Sequence, residues 1–325
     1  MESGNLLLAS LAIAAALGCT RDARAQAYPS RPITIIVPNP AGGPMDTVAR
    51  IIAERVRGAL GQPIIIENVP GASGSIGTGR VARAAGDGYT LSLGGWSQYV
   101  ANGVVYALNY DLVKDFEPVM LVATQPLLLV ANRSVPAKNL TELIAWLKAN
   151  PDKAWQGTGG HLDHVAGLLF QKETGTRFGF VPYRGINQAM QDLVGRQIDL
   201  MIATAPTSLP AMQAGSIKAY AVTAKSRLVT APNIPTVDEA GLPGLHFSSW
   251  QALWASKGTP KDLTAKLNAI VVDALADPAV RQRLADLGQE IFPREQQTPE
   301  SLSTFQKAEI EKWWPIIKEA GLKPE

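Results

Sequence analysis

The stretch Ile33–Leu60, ITIIVPNPAGGPMDTVARIIAERVRGAL, decides the fold. Its first five residues are all apolar or β-branched, the pattern of a strand buried on both faces, as in a parallel sheet. A Pro- and Gly-rich loop follows. From Met45 the apolar residues Val48, Ile51, Ile52, Val56 and Leu60 recur at helical spacing until Gly61 stops the helix. The unit then repeats. Ile64–Ile66, the loop Pro70–Gly79 and a short helix through Val81, Ala84 and Ala85 come next, then the strand Tyr89–Leu93 and the loop Gly94–Ser97. Such alternation predicts a doubly wound α/β sheet flanked by helices.

Further along, Pro118–Ala131 reads as β-rich, interrupted by Gln125-Pro126, and Leu140–Ala149 as a helix capped by Asn139 or Thr141. A second α/β series begins near Trp155, with the loop Gly157–His161 and a helix over Asp163–Glu173. It continues with strands at Phe178–Val181, Ile198–Ile202 and Ala219–Thr223, and with helices at Ile186–Val194 and Ser208–Ala214. A strand over Trp250–Ala255 precedes helices at Leu263–Ala276, Pro278–Leu287 and Ser301–Ala320. Two series separated by extended stretches predict two lobes joined by two crossing strands. Residues 28–127 and 246–325 form lobe 1, with the C-terminal helices returning to it, and 128–245 form lobe 2. No repeat is evident between the two series.

The 325 residues are 46% hydrophobic and 18% charged, enough for packed cores and without a disorder signature. A net charge of +2 is too balanced for a protein whose affinity comes from neutralising nucleic-acid phosphates. One cysteine excludes a disulfide scaffold or a Cys-rich metal module within this chain. Leu6–Gly18 is an apolar run with the length of a secretory-signal core, shorter than a membrane span. Small-residue cleavage sites follow, before Gln26 or before Tyr28. Residues 1–27 are therefore read as a cleavable signal peptide, Cys19 as discarded with it, and the mature chain as soluble and periplasmic.

The inventory for catalysis is thin. Gly71-Ala72-Ser73-Gly74-Ser75 misses the last glycine of a nucleophile elbow, and neither a dinucleotide fingerprint nor a phosphate loop is present. His161 and His164 would need a further zinc ligand that only His246 or a distant carboxylate could provide, so neither a metal nor a cofactor is expected. What does recur is a strand ending in small residues that run into a helix. It happens at Ala41-Gly42-Gly43, Gly71–Gly74, Gly94–Ser97, Gly157–Gly160 and Thr204–Thr207. The first amides of a helix have no intrahelical partner and, with the helix dipole, bind anions without needing a cation. In open α/β sheets these loops gather at the carboxyl ends of the strands. Two lobes facing each other in this way make a cleft for a small carboxylate. Trp96, Tyr183 and Arg184 each either line it or cover a lobe edge, Asp46 reads as a helix-start charge, and Trp313-Trp314 as helix packing.

Several runs carry a resemblance: Tyr28–Pro38, Pro40–Arg50, Gly61–Asn68 with Pro70–Ala72, Asp87–Leu91, Val181–Gly185, Ala221–Thr223, Pro235-Thr236, Glu239–Gly244 and Lys257–Pro260. Together they closely resemble the tripartite tricarboxylate transporter receptors, also called Bug proteins, in order along the whole mature chain. The resemblance implies a two-lobed, type II-like periplasmic binding protein fold that closes on a small carboxylate. The expected partners are membrane transporter subunits or a membrane sensor; a monomer is expected, and no enzyme. A periplasmic hydrolase or isomerase using His161 or His164 is the remaining alternative. The resemblance places Asn39, Ala41, Gly42, Gly43 and Ser97 at one side of the ligand, and Gly159, Gly160, His161, Tyr183 and Thr204 at the other. Ala203-Thr204, where many relatives carry Asp, implies a pocket ill-suited to an amino-acid ammonium.

Overall fold

The computed structural model describes residues 28–183 and 185–322, so the leader and Arg184 lie outside the described residues. In the first series β1 (Ile33–Val37) leads into α1 (Pro44–Leu60), β2 (Ile64–Asn68) into α2 (Ser75–Ala82), and β3 (Thr90–Gly95) into a π-turn at Ser97–Ala101 and the short α3 (Asn102–Val105). Strand β1 pairs in parallel with both β2 and β3. It is buried on both faces: Ile33, Ile35 and Val37 pack with Val48, Ile51 and Ile52 of α1, while Ile36 joins the opposite cluster with Val81. Pro44 occupies the first turn of α1, where its missing amide costs nothing, and Gly61 ends the helix in a left-handed turn (φ 65°) that returns its amide to Arg57.

The long strand β4 (Phe116–Asn132) carries the chain into the second series. This comprises α4 (Leu140–Ala149), β5 (Trp155–Thr158), α5 (His161–Thr174), β6 (Gly179–Pro182), α6 (Ile186–Val194), β7 (Leu200–Thr204), α7 (Ala205–Gln213) and β8 (Ile217–Val222). The chain returns through β9 (Ser248–Ser256), α8 (Lys261–Ala276), α9 (Pro278–Asp286), β10 (Glu290–Ile291) and α10 (Pro299–Glu319). The N-terminal half of β4 pairs with β9 and β10, and its C-terminal half with β7 and β8, so one strand belongs to both lobes. Helices α8 and α9 pack with α1 on the first lobe, which explains why Val271, Leu275 and Leu284 share a core with Ile35 and Ile52. Among the described residues no helix is long and apolar enough to cross a membrane.

Three expectations are corrected. Strand β4 is not broken at Gln125-Pro126: both residues pair with β9, opposite Ser249 and Ser248, and its register shifts fall earlier, between Pro118 and Met120 and between Leu121 and Ala123. Gly94 and Gly95 are not a loop but the end of β3, laddered against β9. Glycine is needed there for close approach, because a Cβ on Gly95 would lie 2.2 Å from the Trp250 carbonyl oxygen. Trp96 consequently does not line a cleft. It is 1% exposed and meets Phe247 and Trp313 edge to face.

This aromatic cluster contains one acid. Glu309 Oε2 accepts from the indole nitrogens of Trp250 and Trp313, 3.0 Å from each. Burial raises the Glu309 pKa, and the two indoles and Lys312 offset only part of that. A carboxyl with a raised native pKa adds stability below its unfolded value, about 4.3, and loses it as pH rises through the native value. Glu309→Gln keeps an acceptor for the indoles and removes the titration. Its melting temperature is expected to gain on the wild type as pH rises above about 4.5, and to stop gaining once Glu309 is ionised in the native state; a gap constant with pH would contradict the assignment.

Candidate functional site

Strand direction brings the loops together. Strands β1–β3 run the same way as β4, since β3 and β4 are both antiparallel to β9; β7 runs against β4, and β5 and β6 run with β7. The carboxyl ends of β1–β3 therefore point towards the second lobe and those of β5–β7 back towards the first. Gly95 is level with Ala123 and Thr204 with Leu127. Four residues of strand are about 13 Å, the width of a crevice for a small molecule.

The helices that begin at this crevice lack side-chain caps. The N-caps of α1, α5, α6 and α7 are Gly43, Gly160, Gly185 and Thr204, and none accepts a helix amide through its side chain. Of the remaining helices, α4, α9 and α10 are capped by Asn139, Asp277 and Thr298, whereas α2, α3 and α8, with Gly74, Ala101 and Pro260 at their N-caps, have no side-chain cap. An N-cap side chain satisfies one orphan amide of the first turn. Leaving it out at the crevice keeps amides and dipole available to an anion.

Two of these starts are built alike. In Gly42-Gly43-Pro44-Met45-Asp46 the Gly42 amide donates to Asp46 Oδ2 at 2.9 Å. In Gly159-Gly160-His161-Leu162-Asp163 the Gly159 amide donates to Asp163 Oδ2. The repeated Gly-Gly-x-x-Asp pattern was not apparent in the two α/β series, although it can be read in both. Burial opposes ionisation of Asp46, but Arg50, the Gly42 amide and Asn68 outweigh it and hold the pKa below the ordinary carboxylate range. Asp46 is thus a helix-start charge, as expected, and also the clasp of the first glycine loop. The Gly42 and Gly159 amides are committed to these clasps, so a ligand would meet the amides that follow them.

The other predicted site residues fall as follows. Ala41 is exposed in the first loop, and Asn39 beside it is half-buried, its Oδ1 3.5 Å from Gln98 Nε2. Ser97 is half-buried at the start of the π-turn. His161 is 4% exposed at the first position of α5, its ring edge-on to Tyr106 of the first lobe, with Nδ1 3.4 Å from Ser73 Oγ. His164 lies against Phe180, and burial, then the neighbouring His161, lowers its pKa. Tyr183 turns its hydroxyl to Asp192 Oδ2 at 2.7 Å, and burial with this acidic partner pushes its pKa up to about 12. That hydroxyl is occupied within lobe 2. Thr204 Oγ1 is 3.1 Å from Thr207 Oγ1 in the first turn of α7. His246 sits away from these loops, paired with Asp238. Among the described residues no group of three or more His, Cys, Asp or Glu is placed to hold a metal.

Sequence reasoning missed Ser73, Gln98 and Asn102. Only the π-turn that interrupts the helix after β3 marks the last two, and such bulges recur at functional sites.

A profile of the tripartite tricarboxylate transporter family receptor matches residues 48–322. The solved periplasmic binding protein BugD is 37% identical, with a TM-score of 0.79 over 91% of this chain and 99% of that one. MatC from Rhodopseudomonas palustris, solved with bound malate, is 38% identical, with a TM-score of 0.79 over 89% of this chain and 100% of its own. Rpa4515 from R. palustris, solved with adipate, is 33% identical, with a TM-score of 0.82 over 92% and 100%.

Proposed function

Since the chain belongs to the tripartite tricarboxylate transporter receptor family, whose members include periplasmic binding proteins, we propose that it captures a small carboxylate between its lobes for such a transporter. The observation that carries this reading is the set of uncapped helix starts aimed into one crevice from both lobes. Malate and adipate in the two similar structures supply the ligand class, open-chain dicarboxylates. Asn39, Ala41, Gly43 and Ser97 would hold one end. Gly160, His161 and the Thr204 loop would hold the other, with the clasped Gly42 and Gly159 and the ring of Tyr183 shaping the walls.

Micromolar affinity corresponds to about −8 kcal/mol. A few charge-assisted hydrogen bonds at roughly 1.5–3 kcal/mol each supply it. The role is binding rather than catalysis, as in a family of receptors. The lobes divide at residues 127/128 and 245/246, so that closure swings the second α/β series against the first. Residues 1–27 act as the leader for export to the periplasm; intact mass of the exported protein should place the mature start at Gln26 or Tyr28. Calorimetry against malate, adipate and a panel of di-, tri- and aromatic carboxylates tests the main reading. Saturable binding of at least one acid, recovered unchanged, is expected; no heat and no thermal stabilisation across the panel contradicts it.

A further inference from the structure

We infer that Gln98 is the positioning residue of the crevice and that it acts through a closing contact between Ser73 and His161. Its side chain reaches the end of β3 and two loops at once. Gln98 Oε1 accepts from the Gly95 amide at 3.2 Å, while Nε2 donates to the Ser73 carbonyl at 3.1 Å and lies 3.5 Å from Asn39 Oδ1. The carboxamide therefore ties the end of β3 to the loops after β1 and β2. It is 3% exposed, so each of these bonds is made out of water, where a lost partner is costly.

The loop it holds after β2 is strained. Four consecutive residues have positive φ: Gly71 (116°), Ala72 (47°), Ser73 (50°) and Gly74 (87°). Two of them are not glycine, and a left-handed conformation costs such residues about 1–2 kcal/mol each. Asn102 Nδ2 donates to the same Ser73 carbonyl at 3.1 Å, so two buried amides from the π-turn and α3 fix this peptide. A Cβ on Gly74 would lie 2.6 Å from the Pro38 carbonyl oxygen and 2.8 Å from Gln98, which leaves the turn no room to relax.

The strain aims one side chain across the crevice. Ser73 Oγ meets His161 Nδ1 of the second lobe at 3.4 Å and accepts from Tyr106 at 3.4 Å, and the Tyr106 ring meets His161 edge-on. Ser73 and Tyr106 belong to the first lobe and His161 to the second, so these contacts form on closure and part on opening. A contact present only in the closed state shifts the population towards it and slows ligand escape, with little effect on the encounter. The inference rests on the binding reading above for its effect on ligand, but not for its effect on closure.

The test compares Gln98→Met, Gln98→Glu, Ser73→Ala and the double variant Gln98→Met/Ser73→Ala with the wild type. Stopped-flow with malate and adipate reads the rates. Spin labels at Val113→Cys and Val194→Cys, exposed positions on lobes 1 and 2, read the interlobe distance without ligand. Cys19 is the only native cysteine. Gln98→Met and Ser73→Ala should each raise the off-rate about tenfold, leave the on-rate within about twofold, and lengthen the ligand-free distance. The double variant should be no worse than Gln98→Met, because both changes break one contact. Gln98→Glu restores the acceptor for Gly95 but not the donor to Ser73, so its off-rate should stay raised. A fully additive double variant, or an unchanged distance and off-rate in Ser73→Ala, overturns the inference. A wild type that binds neither acid refutes the ligand reading, and the label distances still decide this one.

Discussion

Gly159→Ala is expected to weaken carboxylate binding about 100-fold and to cost about 3 kcal/mol of stability, the upper part of the range for overpacking. A Cβ there would lie 2.3 Å from the Ile186 nitrogen and 2.5 Å from its Cα. Both are backbone atoms at the start of α6, so no rotamer change relieves the clash. The loop after β5 and the loop after β6 must separate, and with them the N-termini of α5 and α6. If the same 3 kcal/mol falls on the closed state, affinity drops about 100-fold. Gly160→Ala is the control. Its backbone is extended (φ 171°), and the nearest atom to a new Cβ is Asp163 Oδ1 at 3.7 Å. Chemical denaturation should leave Gly160→Ala within about 0.5 kcal/mol of the wild type, as for a substitution that meets nothing. Equal losses in the two variants would mean that the close approach of these loops does not matter.

Asp46→Ala is expected to be the next largest change, about 2–3 kcal/mol at pH 7. It removes a charge-assisted bond to the Gly42 amide, the partner of Arg50 and a negative charge in the first turn of α1. Gly42 is left-handed (φ 76°), and this bond holds its turn closed. Because the native pKa of Asp46 is lowered, its contribution is present above the unfolded carboxylate value, about 3.9, and is lost as pH falls through the native value. The deficit of the variant should therefore persist down to about pH 4 and close below it. A deficit that is constant to pH 2.5 would mean that packing, not charge, closes the loop.

Much of the fold was legible because its elements obey simple periods. The apolar run Ile33–Val37 and the helical spacing from Val48 to Leu60 admit one reading each, and the structure has both elements there. The two-lobed architecture followed from the two α/β series, and α8 and α9 pack against α1. Glycine was the ambiguous letter. At Gly42 it serves a left-handed turn, whereas at Gly94 and Gly95 it lets strands and a tyrosine ring approach, and composition does not separate the two uses. Pro126 misled for a related reason: it reads as a strand breaker, yet it pairs with Ser248 in a continuous β4.

The loops of the candidate site were legible, but their internal wiring was not. A hydrogen bond from a glycine amide to a carboxylate four residues on leaves no trace in hydropathy. Only setting Gly42–Asp46 beside Gly159–Asp163 reveals it. Gln98 belongs to no motif, and its importance arises from a strand end and two loops that converge only in space. Nor does the sequence show that Asp192, nine residues on, takes the Tyr183 hydroxyl.

Backbone amide NMR during titration with adipate measures the ligand grip most directly. The account predicts the largest downfield proton shifts together at Gly43 and Met45 of the first lobe and at Gly160, His161 and Leu162 of the second, saturating with one constant. Shifts confined to one lobe, or centred on side-chain groups away from these helix starts, would contradict it.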